Sequence, residues 1–240
     1  MKLCQVFDTI LFDFLIFGAF LFYRYIMKNE ELLKKGLEEA GISCSEIQLS
    51  FFMVFLKELK KWNRTYNLSA LKTDQDIIIK HFIDSLLYLK AIPDGQLRIA
   101  DVGAGAGFPG IPIKIARPEI DMTLIEPTGK KALFQRHIIR LLGLSGINVL
   151  ELRVEEIGKD EAPFDIIVSR ATFSLGEFLK MTCPYIKEEG LLIVSKGPKV
   201  HEELKEDDLP VRNAVKEVIE LRLPLADAVR NLVVLQCNRA

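Results

Sequence analysis

The 240-residue chain is 49% hydrophobic and carries a formal net charge of −1. That composition suits one α/β domain with a small addition, or at most two domains, and gives no sign of disorder, collagen or a disulfide-dense scaffold. A charge this close to zero leaves nucleic-acid binding to local basic patches. Four scattered cysteines (Cys4, Cys44, Cys183, Cys237) without a CxxC pair and three distant histidines (His81, His137, His201) argue against structural zinc. They fit a reducing cytoplasm better than secretion.

In chain order, the first feature is an apolar run, Phe14–Tyr23, inside an N-terminal extension of residues 1–26. Ten residues are too few to span a bilayer, and no small-residue cleavage site follows. An upstream start with Met27 as initiator, a buried or partner-covered helix, and a membrane anchor are three readings, and membrane spanning is disfavoured. Residues 27–92 read as a helical segment. Residues 28–41 form an amphipathic helix stopped by Gly41, and a second helix begins at Ser43 or Ser45 and runs to about Trp62. Its apolar stripe is read as Ile47, Phe51, Val54, Phe55 and Leu59. A polar connector, 63–73, precedes a third helix capped by Asp74 and ending before Pro93-Asp94-Gly95.

From residue 93 to 240 the texture is that of one α/β domain. Apolar runs at 97–102, 122–125, 148–152, 165–169 and 191–195 alternate with helical stretches near 108–116, 129–142 and 174–184. That alternation predicts βαβ units in a doubly wound, mostly parallel sheet. Two further strands, 216–223 and 232–237, complete a seven-stranded count and suit an antiparallel hairpin at one edge. Free cysteine is usually buried, so Cys183 reads as a packing residue at a helix end.

The first strand of the domain runs directly into Asp101-Val-Gly103-Ala-Gly105-Ala-Gly107-Phe108. Glycines there let the backbone turn sharply, and ligands of such sheets sit outside the carboxyl ends of the strands. The dinucleotide frame GxGxxG fails at Phe108, and no GxxxxGK[ST] loop exists. Asp101 suits a cationic ligand, such as the amino group or sulfonium of S-adenosyl-L-methionine, better than a pyrophosphate. Glu126 closes the second strand nineteen residues after Gly107, where an acceptor-only carboxylate can take both ribose hydroxyls.

The stretch from Trp62 to Pro198 also carries the words WNRTYNLSAL (62–71), HFIDSL (81–86), IADVGAGAGFPGIPIKIARP (99–118), GKK (129–131), RVEE (153–156), FDIIVSRA (164–171) and KGP (196–198). Together they resemble the bacterial small-subunit (16S) rRNA guanine-N7 methyltransferases, the glucose-inhibited division protein B family. The resemblance implies a Rossmann-like class I methyltransferase fold with an N-terminal helical extension, adenosylmethionine as cofactor, 16S rRNA as partner (alone or within the small subunit), and a cytoplasmic location. It places the cofactor against Gly103 and Phe108, with Val154-Glu155 next to the adenine and Arg170 after the fourth strand. Glu126 stands where this family often has Asp. The segment before Met27 and Pro127-Thr128 have no counterpart in the family's pattern.

Guanine N7 carries an exposed lone pair, so the implied reaction needs alignment rather than a general base. No [DN]PPY word and no Pro-Cys dipeptide is present, which fits that chemistry. Arg170 is the candidate catalytic residue, able to hold the cofactor carboxylate or to contact guanine, or else to sit in a surface ion pair. Asn67 is a candidate base-edge contact or a turn cap. His81 and Asp84 form either a structural polar pair or a substrate-side one. Lys130, Lys131 and Lys196 are RNA-binding candidates, joined by Arg136, Arg140 and Lys199 and by a stripe of Lys57, Lys60, Lys61 and Arg64. Tyr66 or Phe108 can stack on a base or belong to the core. His137 and His201 show no partner in sequence. A small-molecule methyltransferase and a non-enzymatic adenosylmethionine-binding regulator remain as alternatives that share the cofactor half.

Overall fold

The computed structural model describes residues 26–158, 161–170, 173–206 and 209–237, so the apolar run at 14–23 lies outside the described residues. Helix α1 (residues 26–40) ends at Gly41, whose φ of 62° is the left-handed value a glycine adopts without strain. Helix α2 (Glu46–Tyr66) starts at Ser45, which accepts from the Gln48 N–H while the Gln48 side chain returns to the Ser45 N–H. Its buried stripe is Leu49, Phe52, Phe55, Leu56 and Leu59, while Ile47 and Val54 are 67% and 36% exposed. The expected stripe is therefore partly misplaced. The segment is apolar on nearly every side between 49 and 56, so spacing alone does not choose a face.

The third helical rod, 74–90, is composite. It consists of α3 (Asp74–Ile77), a π-helical stretch (Ile78–Ile83), α4 (Asp84–Leu86) and a 3-10 turn (Leu87–Lys90). Thr73, not Asp74, caps it: its hydroxyl accepts from the Asp76 N–H at 3.1 Å. Asp74 instead forms an ion pair with Lys60 and accepts from Asn29.

Seven strands follow: β1 (Arg98–Val102), β2 (Asp121–Ile125), β3 (Ile147–Leu150), β4 (Phe164–Ser169), β5 (Ile186–Lys196), β6 (Val215–Arg222) and β7 (Val229–Leu235). They form one sheet in the order β3-β2-β1-β4-β5-β7-β6. The first five are parallel, and β7 pairs antiparallel with both β5 and β6. The reversal between β3 and β4 puts the switch point at the carboxyl end of β1, where open α/β sheets bind ligands.

Helices α5 (Gly110–Ala116) and α6 (Gly129–Leu142) pack on one face, and α7 (Leu175–Thr182), α8 (Val200–Glu206) and α9 (Leu209–Ala214) follow later in the chain. Alternation along the strands feeds two cores. Ile99, Ile166, Val168 and Ile193 join α1, α2, the 74–90 rod, α5 and α6. Ala100, Val102, Ile167, Leu192 and Val194 join α7 and α9. Periodicity alone does not single out helices α8 and α9. Cys183, read as a packing residue, is instead disulfide-bonded to Cys237, 54 residues away. No helix among the described residues is long and apolar enough to cross a membrane.

Candidate active site at the carboxyl edge of the sheet

The loop after β1 depends on three left-handed glycines, Gly103, Gly105 and Gly107, with φ of 73°, 60° and 96°. A Cβ on Gly107 would stand 2.4 Å from Ile111 Cδ1, whereas one on Gly105 meets nothing closer than 3.9 Å. The loop thus packs tightly at one end and faces open space at Gly105. Its second glycine is gripped on both sides. The Gly105 N–H donates to Glu126 Oε2 at 2.8 Å, and its carbonyl accepts from Gln135 Nε2 at 2.7 Å. The other Glu126 oxygen accepts from the Thr128 N–H at 2.9 Å, so Pro127-Thr128 shapes the carboxylate's position at the start of α6.

Asp101 lies fully buried beneath the N-terminus of α5, with Oδ2 accepting from the Gly110 N–H at 2.7 Å and Oδ1 without a partner. Burial pushes its carboxyl up to about 7, against the pull of the Gly110 N–H and of Arg170. A buried carboxylate oxygen left without a donor calls for a ligand cation or N–H. Glu126 accepts two backbone N–H groups, and a carboxylate offers about four lone-pair sites, which leaves capacity for a diol. The residues therefore fit S-adenosyl-L-methionine on an orphaned acceptor, an open glycine and a braced carboxylate.

Arg170 follows β4 and turns toward the π-helical stretch. Its guanidinium donates to the Lys80 carbonyl (3.0 Å), to His81 Nδ1 (2.7 Å) and, at 3.4 Å, to Asp84. A guanidinium only donates, so His81 Nδ1 is the acceptor and Nε2 carries the ring proton toward Ser69 Oγ at 2.7 Å. Burial, and then the Arg170 charge, push the His81 pKa down to about 3, so the ring stays neutral. Asp84 is held more closely by Arg230, at 2.8 Å. His81 and Asp84 thus do not pair with each other; both serve Arg170. Arg170 is not the surface ion pair that the sequence also allows, because its strongest partners are neutral acceptors in a half-buried setting.

Phe108 stacks on His81 (centroids 4.3 Å) and on Phe55 (5.2 Å), with the Arg170 guanidinium 5.2 Å from its ring centre. The residue is 4% exposed, so its ring is not free to stack on a base; it is core that supports Arg170. Tyr66 remains 40% exposed beside Trp62. Val154 is buried and Glu155 exposed in a 3-10 turn after β3, and Val154 packs in the same cluster as Val102 and Ile125 from the strand ends around the loop.

The basic candidates separate. Lys130 is exposed and Lys131 half-buried at the start of α6. Lys196 donates to the Phe173 carbonyl and pairs with Glu203 at 3.1 Å. The stripe on α2 divides: Lys57 borders an apolar cleft against α1, Lys61 leans on Glu58, and Lys60 and Arg64 face another cleft. Asn67 takes the turn-capping conformation, φ 49° and ψ 55°, with its N–H on Asn63 O. His137, which shows no partner in sequence, bonds Glu58 at 2.8 Å. Sequence reasoning misses Gln135, Ser69 and Arg230, whose partners lie 12 to 146 residues away and leave no local signal.

Comparisons with known proteins identify the family. A family model described as "rRNA small subunit methyltransferase G" matches residues 48–233. The chain is 41% identical over 217 residues to "Ribosomal RNA small subunit methyltransferase G" of Geobacter sp. (strain M21), covering 89% of this chain and 100% of that protein. It is 39% identical over 213 residues to the protein of the same name from Geotalea uraniireducens (strain Rf4), covering 86% and 96%. Among solved structures, a predicted O-methyltransferase from Agrobacterium tumefaciens superposes with a TM-score of 0.50 at 25% identity, covering 66% of this chain and 81% of that one. By its match to the family model and its identity to these relatives, the chain belongs to the rRNA small subunit methyltransferase G family.

Proposed function

We propose that the chain transfers the methyl group of S-adenosyl-L-methionine to N7 of a guanosine in 16S rRNA, presented alone or within the small subunit in the cytoplasm. The observation that carries this reading is the orphaned, buried Asp101 Oδ1 beside the Glu126-braced Gly105, in a chain of this family. Asp101 would take the cofactor's ammonium and Glu126 its ribose. Gly103, Gly105 and the Phe108 backbone would line the loop, and Val154-Glu155 would border the adenine. Bound adenosylmethionine supplies an electrophilic methyl on a sulfonium.

The protein's own contribution is alignment. Guanine N7 presents its lone pair without deprotonation, so no base is required, and positioning can contribute roughly 7–11 kcal/mol. His81 is neutral and serves to hold Arg170, not to move a proton. Arg170 would bind the cofactor carboxylate or the guanine edge. Lys130, Lys131, Lys196 and Asn67 remain proposed RNA contacts. Residues 27–92 are proposed as a helical segment serving the 93–240 domain, since α2 and the 74–90 rod share a core with β1 and β4.

The test uses rRNA from a strain lacking the gene. Labelled methyl should enter 16S rRNA as N7-methylguanine with the protein present. Activity on a metabolite with no transfer to RNA would support a small-molecule methyltransferase instead, and cofactor binding without any transfer would support a regulator.

A further inference from the structure

A second cleft, of about 300 Å³, is lined by Lys60, Asn63, Arg64, Asn67 and Lys72. Its wall is built, not incidental. The Asn63 side chain donates to the Ser69 and Leu71 carbonyls and accepts from the Ser69 N–H, pinning the loop after α2. That loop carries Asn67 in its left-handed turn. The same Ser69 bonds His81 through its hydroxyl, and His81 bonds Arg170. The cleft is thus joined to the candidate active site by one chain of hydrogen bonds.

Its charge is one-sided. Lys60 is paired with Asp74, but among the described residues neither Arg64 nor Lys72 has an ion-pair partner, and both are exposed. The carboxyl end of α2 brings about half a negative charge, less than the two cations. Among the described residues no apolar side chain lines the cleft, so an apolar partner or a lipid interior finds no complement there.

We propose that this cleft binds a phosphodiester of the RNA strand flanking the target guanosine, with Arg64 and Lys72 as its cations and the Asn67 amide as a lateral donor. The inference rests on the rRNA reading above. The loop that carries Ser69 is bonded through His81 to Arg170, so a strand held at the cleft is anchored next to the candidate site, and phosphate contacts set register without reading sequence. An acidic protein segment is the competing occupant, separated by the test below.

The experiment measures binding of deproteinised, unmodified 16S rRNA across a salt series. Arg64→Gln/Lys72→Gln should raise the RNA Kd and flatten the slope of log K against log salt by roughly 1.4, about 0.7 for each single-strand phosphate that a cation no longer neutralises. Adenosylhomocysteine affinity should be unchanged. Arg64→Lys/Lys72→Arg should retain the wild-type slope. Lys180→Gln/Lys216→Gln removes the same charge from exposed positions elsewhere and should change the slope little. A wild-type slope in the Gln pair, with RNA methylation intact, would overturn the cleft assignment and point to another partner. An equal weakening in the control pair would overturn it as well. Failure of the wild-type protein to bind or methylate the RNA would overturn the rRNA reading itself.

Discussion

Asp101 does two things with one carboxylate. Oδ2 fixes the start of α5 through Gly110, and Oδ1 is buried without a hydrogen-bond partner, the acceptor proposed for the cofactor's ammonium. Its pKa, raised by burial to about 7, makes ligand affinity depend on pH. A cationic ammonium binds the ionised form, so adenosylmethionine affinity should rise with pH and level off above about 7, weakening about tenfold per unit below it. Asp101→Asn should bind more weakly at pH 8 and lose this dependence, as titration calorimetry between about pH 5.5 and 8.5 would show. Without ligand the sign runs the other way. A carboxyl whose folded pKa lies above its usual 3.8 contributes stability at low pH and loses it as pH rises through about 7. The Asn variant should therefore gain on wild type across that window in denaturant melts. Equal pH profiles for the two proteins would remove the role given to Oδ1. At this scale the sequence is informative where chemistry is local: Asp101, Gly105 and Glu126 sit at strand ends or in the loop between them. It is silent on what Arg170 touches, because Lys80, His81 and Asp84 stand 86 to 90 residues upstream.

The element that organises the Arg170 side is the 74–90 rod. Its π-helical stretch offsets the ladder just where His81 must meet both Ser69 and Arg170, a departure often found at functional sites. Further along the rod, the fully buried Tyr88 hydroxyl donates to the Ser169 carbonyl at 2.6 Å and accepts from the Ser195 N–H at 3.1 Å. It thereby joins β4 and β5 at the last residue paired on β4, Ser169, and one residue past the last paired on β5, Val194. Tyr88→Phe would remove both hydrogen bonds of a fully buried hydroxyl, at a cost of about 1–3 kcal/mol. Thermal melts should show a drop of roughly 2–4 °C for each kcal/mol in a chain of this size. Because Arg170 directly follows Ser169, KM for the cofactor should rise as well. A melt identical to wild type would mean that the hydroxyl does not hold the strands. Spacing marks this rod as a helix but not its π-helical part, which is set by tertiary contacts to residues far along the chain. The α2 stripe is partly misassigned, at Ile47 and Val54, for the related reason that 49–56 is apolar on nearly every side.

Across the whole molecule, the parallel half of the sheet is legible because each strand is a short apolar run stopped by turn residues, with a helix between successive runs. The antiparallel edge is legible as a hairpin but not in its order, since β7 entering between β5 and β6 is decided by packing against both. That edge also carries the Cys183–Cys237 bond, which composition gives no reason to expect. The bond closes a loop with a sequence separation of 54 that contains β5, α8, α9, β6 and β7, so it constrains the unfolded chain over most of the sheet's antiparallel end. Loop-closure entropy for that length corresponds to about 4 kcal/mol. Where the thiols are oxidised, adding reductant should lower Tm by roughly 8–16 °C, at 2–4 °C for each kcal/mol. Cys237→Ser should match the reduced protein and ignore the reductant. In a reducing compartment the protein would work as the dithiol, so activity on rRNA should survive reduction as long as the melt stays above the assay temperature. If thiol titration of the air-oxidised native protein finds both cysteines free, and Tm does not respond to reductant, the two sulfurs are packing neighbours and the antiparallel end is held by its strands alone.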